Sequence, residues 1–222
     1  MRMTMDRRHC LKLTLGAWAL AGVLPNALAA PDWPAWEAFA GRFVQADGRV
    51  IDITFDRKST SEGQSYGLFF ALVANDRARF DTILKWTSDN LAGGRLGERL
   101  PAWLWGQRAD GGWGVKDENS AADGDLWIAY ALLEAARLWN APAYAENGRR
   151  LLALVRSKEV AVNGAGVPVL LSGTVGFRLD KGRMRINPSY VPGFMFRYFA
   201  FVDPKGPWPG SPPRWPATAP SD

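Results

Sequence analysis

The sequence predicts a mainly α-helical domain with small β-hairpins in its connections, and two patterns indicate this fold class. Five segments carry apolar residues at helical spacing and follow one another with short connections. Between two of these segments lies a glycine-rich, aromatic stretch that is typical of a β-hairpin. With 222 residues, of which 47% are hydrophobic and 22% charged, the chain is long enough to bury one sizeable core.

The helical pattern places one separate helix before two antiparallel helical hairpins. The five predicted helices cover residues 33–45, 62–76, 77–91, 123–139 and 141–160. We expect one more helix to begin near Gly193, directly after a pair of proline turns. The connections within each hairpin are short, so the two helices of a hairpin should pack side by side.

The connections and the C-terminus have a different character. Residues 100–120 place a glycine-rich turn between aromatic segments, and residues 167–179 predict a second small sheet. Residues 201–222 hold 7 of the 15 prolines, which favours neither helix nor strand. We therefore expect a proline-rich, disordered tail over residues 206–222.

The N-terminus has the three parts of a secretory signal peptide. The basic "MRMTMDRRHCLK" precedes the apolar "LTLGAWALAGVLP", and "ALA" at 27–29 suits signal peptidase. We predict a signal peptide over residues 1–29 and a periplasmic or secreted protein. The pair of arginines is compatible with either Sec or twin-arginine export. No run of 18 apolar residues occurs, so no membrane span is expected.

Cleavage of this segment would restrict the chemistry of the mature chain. The only histidine and the only cysteine, His9 and Cys10, leave with it. This excludes disulfides, Ser-His-Asp or Cys-His nucleophiles and zinc sites built on these residues. The net charge falls from +5 to +2, because four basic residues and one acidic residue are lost. No nucleic-acid motif is present, and we expect no metal or cofactor.

Glu62 lies in the stretch "STSEGQSYG", just before a predicted helix. Two interpretations of this glutamate are open. Ser59 with Glu62, or Ser61 with Gln64, matches a capping box at the start of the helix. Alternatively Glu62 is a catalytic acid, because the two glycines that follow it at four-residue spacing would leave room for a substrate. Without histidine and cysteine, proton transfer in the mature chain must use Asp, Glu, Tyr, Lys or Arg side chains.

A second acidic motif begins the longest predicted helix. Asp123 and Asp125 flank Gly124 in "SAADGDLWIAY", and either aspartate could cap the helix. A calcium-binding EF-hand is excluded, because apolar and aromatic residues occupy the ligand positions. Tryptophan is abundant as well: the cluster "WLWG" at 103–106, together with Trp113, could be core or a platform for sugar rings.

Four motifs together resemble glycoside hydrolase family 8. They are "TSEGQSYG", "WLWG", "SAADGDLWIAYALLEAARLW" and "NPSY", and they occur in the family's order over roughly residues 31–205. One departure is Ala122, where the family has serine or threonine. The resemblance implies an (α/α)6 barrel over residues 30–205 that hydrolyses β-1,4-glucan with inversion of the anomeric centre.

The resemblance also implies roles for individual residues. Glu62 is similar to the general acid, and Asp123 to a second catalytic carboxylate that contacts the sugar at the scissile bond. Trp105, Asp125 and Tyr190 are expected to bind the substrate. The implied partners are β-1,4-glucan chains, with a functional link to the cellulose synthase complex.

The acid role requires Glu62 to stay protonated near neutral pH, so its pKa must be raised. The helix N-terminus lowers the pKa of a nearby carboxyl. Burial and the charge of Asp123 would therefore have to outweigh that dipole.

The length of the chain departs from the family pattern. The family's barrel has twelve helices, and nothing here matches the inverting base that relatives carry on a later helix. We expect an incomplete barrel, the N-terminal portion, produced by truncation or a reading-frame shift. By itself this product is expected to associate and to lack activity above background. A non-catalytic glucan-binding fragment and a polysaccharide lyase on a similar helical toroid remain as alternatives.

Overall fold

The computed structural model describes residues 32–208. The predicted signal peptide and residues 209–222 of the predicted tail lie outside the described residues. The helices are α1 (Pro34–Phe43), α2 (Ser61–Val73), α3 (Arg77–Leu91), α4 (Ala122–Leu138), α5 (Pro142–Lys158) and α6 (Gly193–Val202). The strands are β1 (Ser59–Thr60), β2 (Leu104–Gln107), β3 (Trp113–Asp117), β4 (Val160–Val162) and β5 (Pro168–Leu170).

Helices α2, α4 and α6 lie side by side and run in the same direction. Ring contacts show this, because a later residue on one helix contacts a later residue on the next. Along α2 and α4 the contacting pairs are Tyr66–Trp127 and Phe69–Tyr130. Along α4 and α6 they are Trp127–Phe194 and Tyr130–Tyr198. Parallel neighbours place their N-termini at one common end.

Helices α3 and α5 return antiparallel beside α2 and α4. The reversal between α2 and α3 is tight: Asn75 takes a left-handed conformation with φ of 55°. The carboxylate of Asp76 then accepts from the Arg79 amide at 3.0 Å and caps α3. A parallel inner helix with an antiparallel outer partner is the repeating unit of an (α/α)6 barrel, and α2 with α3 and α4 with α5 are two such pairs. The described residues form an incomplete barrel of this kind.

The core lies between the inner and outer helices. Helix α4 is buried on most sides, as expected for an inner helix between two layers. Its fully buried apolar residues are Ala122, Leu126, Ile128, Ala129, Ala131, Leu132 and Ala135. None of the helices within residues 32–208 is long and apolar enough to cross a membrane.

The structure confirms the mainly helical fold class, and the predicted helices are present with ends shifted by a few residues. Two strands differ from the expectation. The helix predicted over residues 141–160 ends at Lys158, and residues 160–162 form β4, which pairs with β5. Strand β1 was not predicted; it adds an edge to the expected hairpin of β2 and β3. A two-residue strand carries too little pattern to be recognised.

The packed chain extends beyond the expected start of the tail. Trp208 is buried, and its indole packs against Phe199 of α6. The Trp208 ring nitrogen donates to the Asp203 carboxylate at 3.0 Å. Residues 206–208 are therefore anchored by an aromatic contact, which a count of prolines does not reveal.

Candidate active site

Thr60, and not a serine, caps helix α2. The Thr60 hydroxyl accepts from the Gly63 amide at 3.0 Å. Neither expected capping box forms. The hydroxyl of Ser59 instead donates to the Val50 carbonyl at 2.6 Å, and the Gln64 side chain bonds to Val50 and Thr87. The carboxyl of Glu62, in the first turn, is therefore not used as a cap and is half-buried at the end of the helix.

Neither aspartate of the second motif caps helix α4. The residue before the helix is Ala121, and no side chain caps it. Asp123 and Asp125 both lie in the first turn, with Asp123 half-buried and Asp125 fully buried. Both expected capping roles are therefore wrong, because the helix begins one residue earlier than expected.

Gly124 brings Glu62 and Asp123 together. A Cβ atom at Gly124 would lie 2.8 Å from the Ser61 hydroxyl oxygen and 3.0 Å from the Glu62 amide nitrogen. Only glycine permits this approach of α4 to the start of α2. The two carboxyls consequently lie at one end of two parallel helices.

Of the two glycines expected to open space beside Glu62, Gly63 borders a pocket but Gly67 is closely packed. A Cβ atom at Gly67 would meet a methyl group of Val50 at 2.8 Å and the side chain of Ile83 at 3.4 Å. Gly67 thus allows close packing of α2 on its neighbours. Gln64 strengthens the same junction, because its buried amide donates to the Thr87 hydroxyl at 2.9 Å.

Both carboxyls hold their protons more tightly than free carboxyls do. Burial raises the pKa of Glu62, and this outweighs the hydrogen bonds from Ser61 and Thr60 that lower it. Burial, followed by the charge of Glu62, raises the pKa of Asp123 to about 6. The pKa of Glu62 is therefore raised, as a general acid requires, and burial is the main cause of this shift.

Two tyrosines flank the carboxyls. The charges of Asp123 and Glu62 add to burial in raising the pKa of both Tyr66 and Tyr190. Tyr66 is 41% exposed and lies one turn after Glu62 on the same helix face. The two phenols therefore stay neutral and offer hydroxyl groups beside the acidic pair.

Trp105 belongs to an aromatic stack on the three-stranded sheet. Its ring stacks on Trp113 with centroids 5.3 Å apart and an interplanar angle of 26°. The Arg49 guanidinium lies 4.3 Å from the Trp105 ring centroid and 4.7 Å from that of Trp113. Trp113 is 47% exposed, so it presents the more open indole of the two. Strand pairing of Trp105 with Ser59 attaches this stack three residues from Glu62.

Asp125 is buried more deeply than Asp123. Its exposure is 0%, and it lies beneath Asp123, facing the equally buried Glu159. The expected role of Asp125 in substrate binding stays a prediction, and its burial favours an indirect role over direct contact with a glucan chain. The sequence pattern could not separate the two aspartates, because both fall in the first turn.

Three residues of the site region were missed in the sequence. Tyr66 had a usable signal, because its four-residue spacing from Glu62 places both on one helix face. Arg49 and Glu159 had none, since they reach the site region through tertiary packing. Arg49 donates to the Ser59 hydroxyl at 2.9 Å.

Replacing Gly124 by alanine is expected to destabilise the fold and separate the two carboxyls. The new methyl group would meet backbone atoms of Ser61 and Glu62 that have no room to retreat. Overpacking of this kind costs about 1–3 kcal/mol. Urea unfolding measures the loss. The control is Gly41→Ala, since nothing lies within 4 Å of a Cβ there; equal stability of the two variants would contradict the prediction.

Replacing Asp123 by asparagine is expected to stabilise the fold at neutral pH but not in acid. The pKa of Asp123 is about 6 in the folded state, against an ordinary value of 3.8. The folded state therefore binds more protons within this window, and the free energy of unfolding falls as pH rises through it. Partial exposure limits the expected gain above this window to about 1–2 kcal/mol.

Urea unfolding of both proteins in acid and at neutral pH measures this effect. Asp110→Asn is the control, because the Gly112 amide lowers the pKa of that exposed carboxyl. This control should not gain stability at neutral pH. A stability difference between Asp123→Asn and the original chain that does not change with pH would contradict the prediction.

Comparison with known proteins identifies the family. The sequence matches Glycosyl hydrolases family 8 over residues 11–208. It is 54% identical over 213 residues to an endoglucanase of Xanthomonas axonopodis pv. citri, covering 92% of this chain and 54% of that protein. It is also 54% identical to an endoglucanase of Escherichia coli K12 over 173 residues, covering 77% of this chain and 46% of the relative.

Solved structures agree with this assignment. The fold is similar to an endo-1,4-D-glucanase of Vibrio fischeri ES114, with a TM-score of 0.76 and 49% identity, covering 80% of this chain and 51% of that one. It is also similar to the endo-β-1,4-glucanase CMCax of Acetobacter xylinum, with a TM-score of 0.69 and 29% identity, covering 78% and 52%. The chain spans about half the length of the curated relatives that it matches. By the extent of the match, the chain belongs to glycosyl hydrolases family 8.

Proposed function

We propose that this chain provides the acid side of an endo-β-1,4-glucanase site that cleaves glucan with inversion. The supporting observation is the pair of carboxyls at the touching ends of α2 and α4, both with raised pKa values. Two neutral tyrosines flank this pair, and an open indole lies on the adjoining three-stranded sheet. Relatives named endoglucanase support the choice of β-1,4-glucan as substrate.

Glu62 is proposed as the general acid. Cleavage of a glycosidic bond requires a proton on the departing oxygen, and a half-buried carboxyl with a raised pKa can keep one near neutral pH. The neighbouring hydroxyl of Ser61 donates to the Glu62 carboxyl at 3.2 Å. This hydrogen bond orients the carboxyl and adds no positive charge beside it.

Asp123 is proposed to contact the sugar ring at the scissile bond. In the free protein its raised pKa makes it compete with Glu62 for a proton. A sugar hydroxyl that donates to Asp123 would favour the ionised form of this aspartate. The negative charge then raises the proton affinity of Glu62, and the proton lies where the leaving oxygen needs it.

Inversion also requires a carboxylate base about 6.5–9.5 Å from the acid, which leaves room for a water molecule. Asp123 is the carboxyl beside Glu62 that can be tested in this role. If it is the base and not a sugar contact, azide should partly restore turnover in Asp123→Ala, because azide attacks the anomeric carbon in place of the water that the missing base would activate. Under the role proposed here, azide has no effect.

The aromatic stack is proposed to bind glucan away from the scissile bond. The open face of Trp113 can pack on a pyranose ring, and Trp105 supports it from behind. We expect Trp113→Ala to weaken the binding of cello-oligosaccharides about 10-fold, or about 1.4 kcal/mol. Titration calorimetry measures this. Phe201→Ala is the control, because this ring is 82% exposed and lies near the end of α6. Equal affinities of the two variants would contradict a sugar-binding role of Trp113.

The setting of this activity is also proposed. The signal-like N-terminus supports export to the periplasm or beyond. The family resemblance supports a functional link to bacterial cellulose production, in which the enzyme acts on newly made glucan chains. Secretion of a reporter fused behind residues 1–29 in a Gram-negative host tests the export, and failure of secretion would contradict it.

The experiment that tests the function uses two proteins: the 222-residue chain, and a chimera in which it replaces the matching half of the Xanthomonas endoglucanase. If the enzyme is endo-acting, the viscosity of a carboxymethylcellulose solution should fall well before many reducing ends are released. Proton NMR of cello-oligosaccharide products should show the α-anomer first. Unsaturated, ultraviolet-absorbing products would indicate a lyase. Binding by the chimera without turnover would leave only a glucan-binding role.

A further inference from the structure

A second pair of carboxyls lies directly beneath the candidate site. Asp125 of α4 and Glu159, the residue directly after α5, both have an exposure of 0%. The two carboxyls face each other across the contact between these helices. Neither aspartate nor glutamate is expected in such a place unless it is paired.

The hydrogen bonds around this pair are incomplete. One oxygen of Glu159 accepts from the Ser120 hydroxyl at 2.5 Å. Within residues 32–208, its other oxygen and both oxygens of Asp125 have no hydrogen-bond donor. A buried carboxylate without donors is very costly. One proton shared between the two carboxyls supplies the missing donor, and the pair then carries one negative charge instead of two.

The charged groups around the pair agree with this interpretation. Asp123, on the same helix, and Glu62, across from α2, are both acidic. The neighbouring loop contributes the neutral Ser120, and the exposed Arg178 donates to the Val160 carbonyl at 3.4 Å. Burial and like charges therefore both favour a bound proton.

We propose that Asp125 and Glu159 hold one proton between them and act as positioning residues for the acidic pair above. The shared proton joins the start of α4, which carries Asp123, to the end of α5. It also keeps Asp125 neutral, so that Asp125 adds no further negative charge next to Glu62 and Asp123. The positioning role rests on the proposed function, whereas the existence of the shared proton does not.

The pKa values of Asp125 and Glu159 are both raised, which agrees with a bound proton. Burial, followed by the charge of Glu159, raises the pKa of Asp125 well above its ordinary value. Burial raises the pKa of Glu159 to about 7, although the Ser120 and Asp125 hydrogen bonds lower it. The proton consequently resides mainly on Asp125, and the negative charge on Glu159.

The two nearly isosteric substitutions should then have different effects. In Asp125→Asn the amide replaces the protonated carboxyl and donates to Glu159, so the charge near Glu62 is unchanged. In Glu159→Gln the amide can donate to Asp125 and favours its ionisation. An ionised Asp125 raises the pKa of Glu62, because the two groups interact reciprocally.

The first measurement needs no catalysis. Difference infrared spectra of the 222-residue chain near neutral pH should show the C=O stretch of a protonated carboxylic acid. A protonated Glu62 contributes a band of its own, so the shared proton is the component that is lost in Asp125→Asn and persists in Asp123→Asn and in Glu62→Gln. A band that is missing from the original chain, or unchanged in Asp125→Asn, would overturn the shared proton whatever the activity of the protein.

The second measurement is the pH profile of glucan hydrolysis by the chimera. The alkaline limb reports loss of the proton from the acid. It should keep its position in Asp125→Asn and move upwards by roughly one pH unit in Glu159→Gln. A purely structural pair would lower turnover in both variants without moving the limb. Equal shifts in both, or no shift in Glu159→Gln, would overturn the positioning role.

Discussion

Glu62→Gln is expected to lower the hydrolysis of cello-oligosaccharides by about 10²–10⁴-fold, the usual contribution of general acid catalysis. Glutamine keeps the size of the side chain and its contact with Ser61, but it carries no transferable proton. Binding should therefore be preserved. Turnover by the chimera and calorimetric titration with cello-oligosaccharides measure the two effects separately.

A suitable control is Glu37→Gln, at an exposed carboxylate of α1 that pairs with Arg79 at 2.9 Å. Exposed ion pairs contribute little to stability, and this one lies away from the carboxyl pair. The control should keep its turnover. Near-normal turnover in Glu62→Gln would remove Glu62 from the acid role.

Asp123→Asn is expected to lower turnover by about 10²-fold, because a displaced sugar ring costs about this much in rate. Asparagine cannot accept as strongly from a sugar hydroxyl, and it removes the charge that keeps the proton on Glu62. The alkaline limb of the pH profile should therefore move downwards together with the loss of rate.

Asp125→Asn is the matched control, two residues further along the same helix turn and fully buried. It should retain more turnover than Asp123→Asn does. If the asparagine at 125 abolishes activity in a stably folded protein while the one at 123 does not, the roles assigned to the two aspartates are reversed.

The sequence was sufficient to predict the helices, because each inner helix carries a long apolar pattern. Helix starts were predicted less well. Several serines and aspartates compete for each cap, and the choice depends on tertiary partners, such as the Val50 carbonyl that occupies Ser59. Strand β4 was missed, because three residues directly after a long helix carry too little pattern to be separated from it.

The site was predicted in part. Glu62 and Asp123 were selected by a family pattern, and their proximity depends on the missing side chain of Gly124. The burial of Asp125 was not visible, because its partner Glu159 is 34 residues away in sequence and is brought close only by the packing of α5 on α4. Long-range pairs of this kind have no local signature.

The central claim, that Glu62 delivers the proton to the leaving group, is tested most directly with two substrates. A natural cello-oligosaccharide needs this proton, whereas a dinitrophenyl cello-oligosaccharide has a leaving group stable enough to depart without it. In the chimera, Glu62→Gln should lose about 10²–10⁴-fold on the first and little on the second. Equal losses on both substrates would contradict the claim and place Glu62 in binding or folding instead.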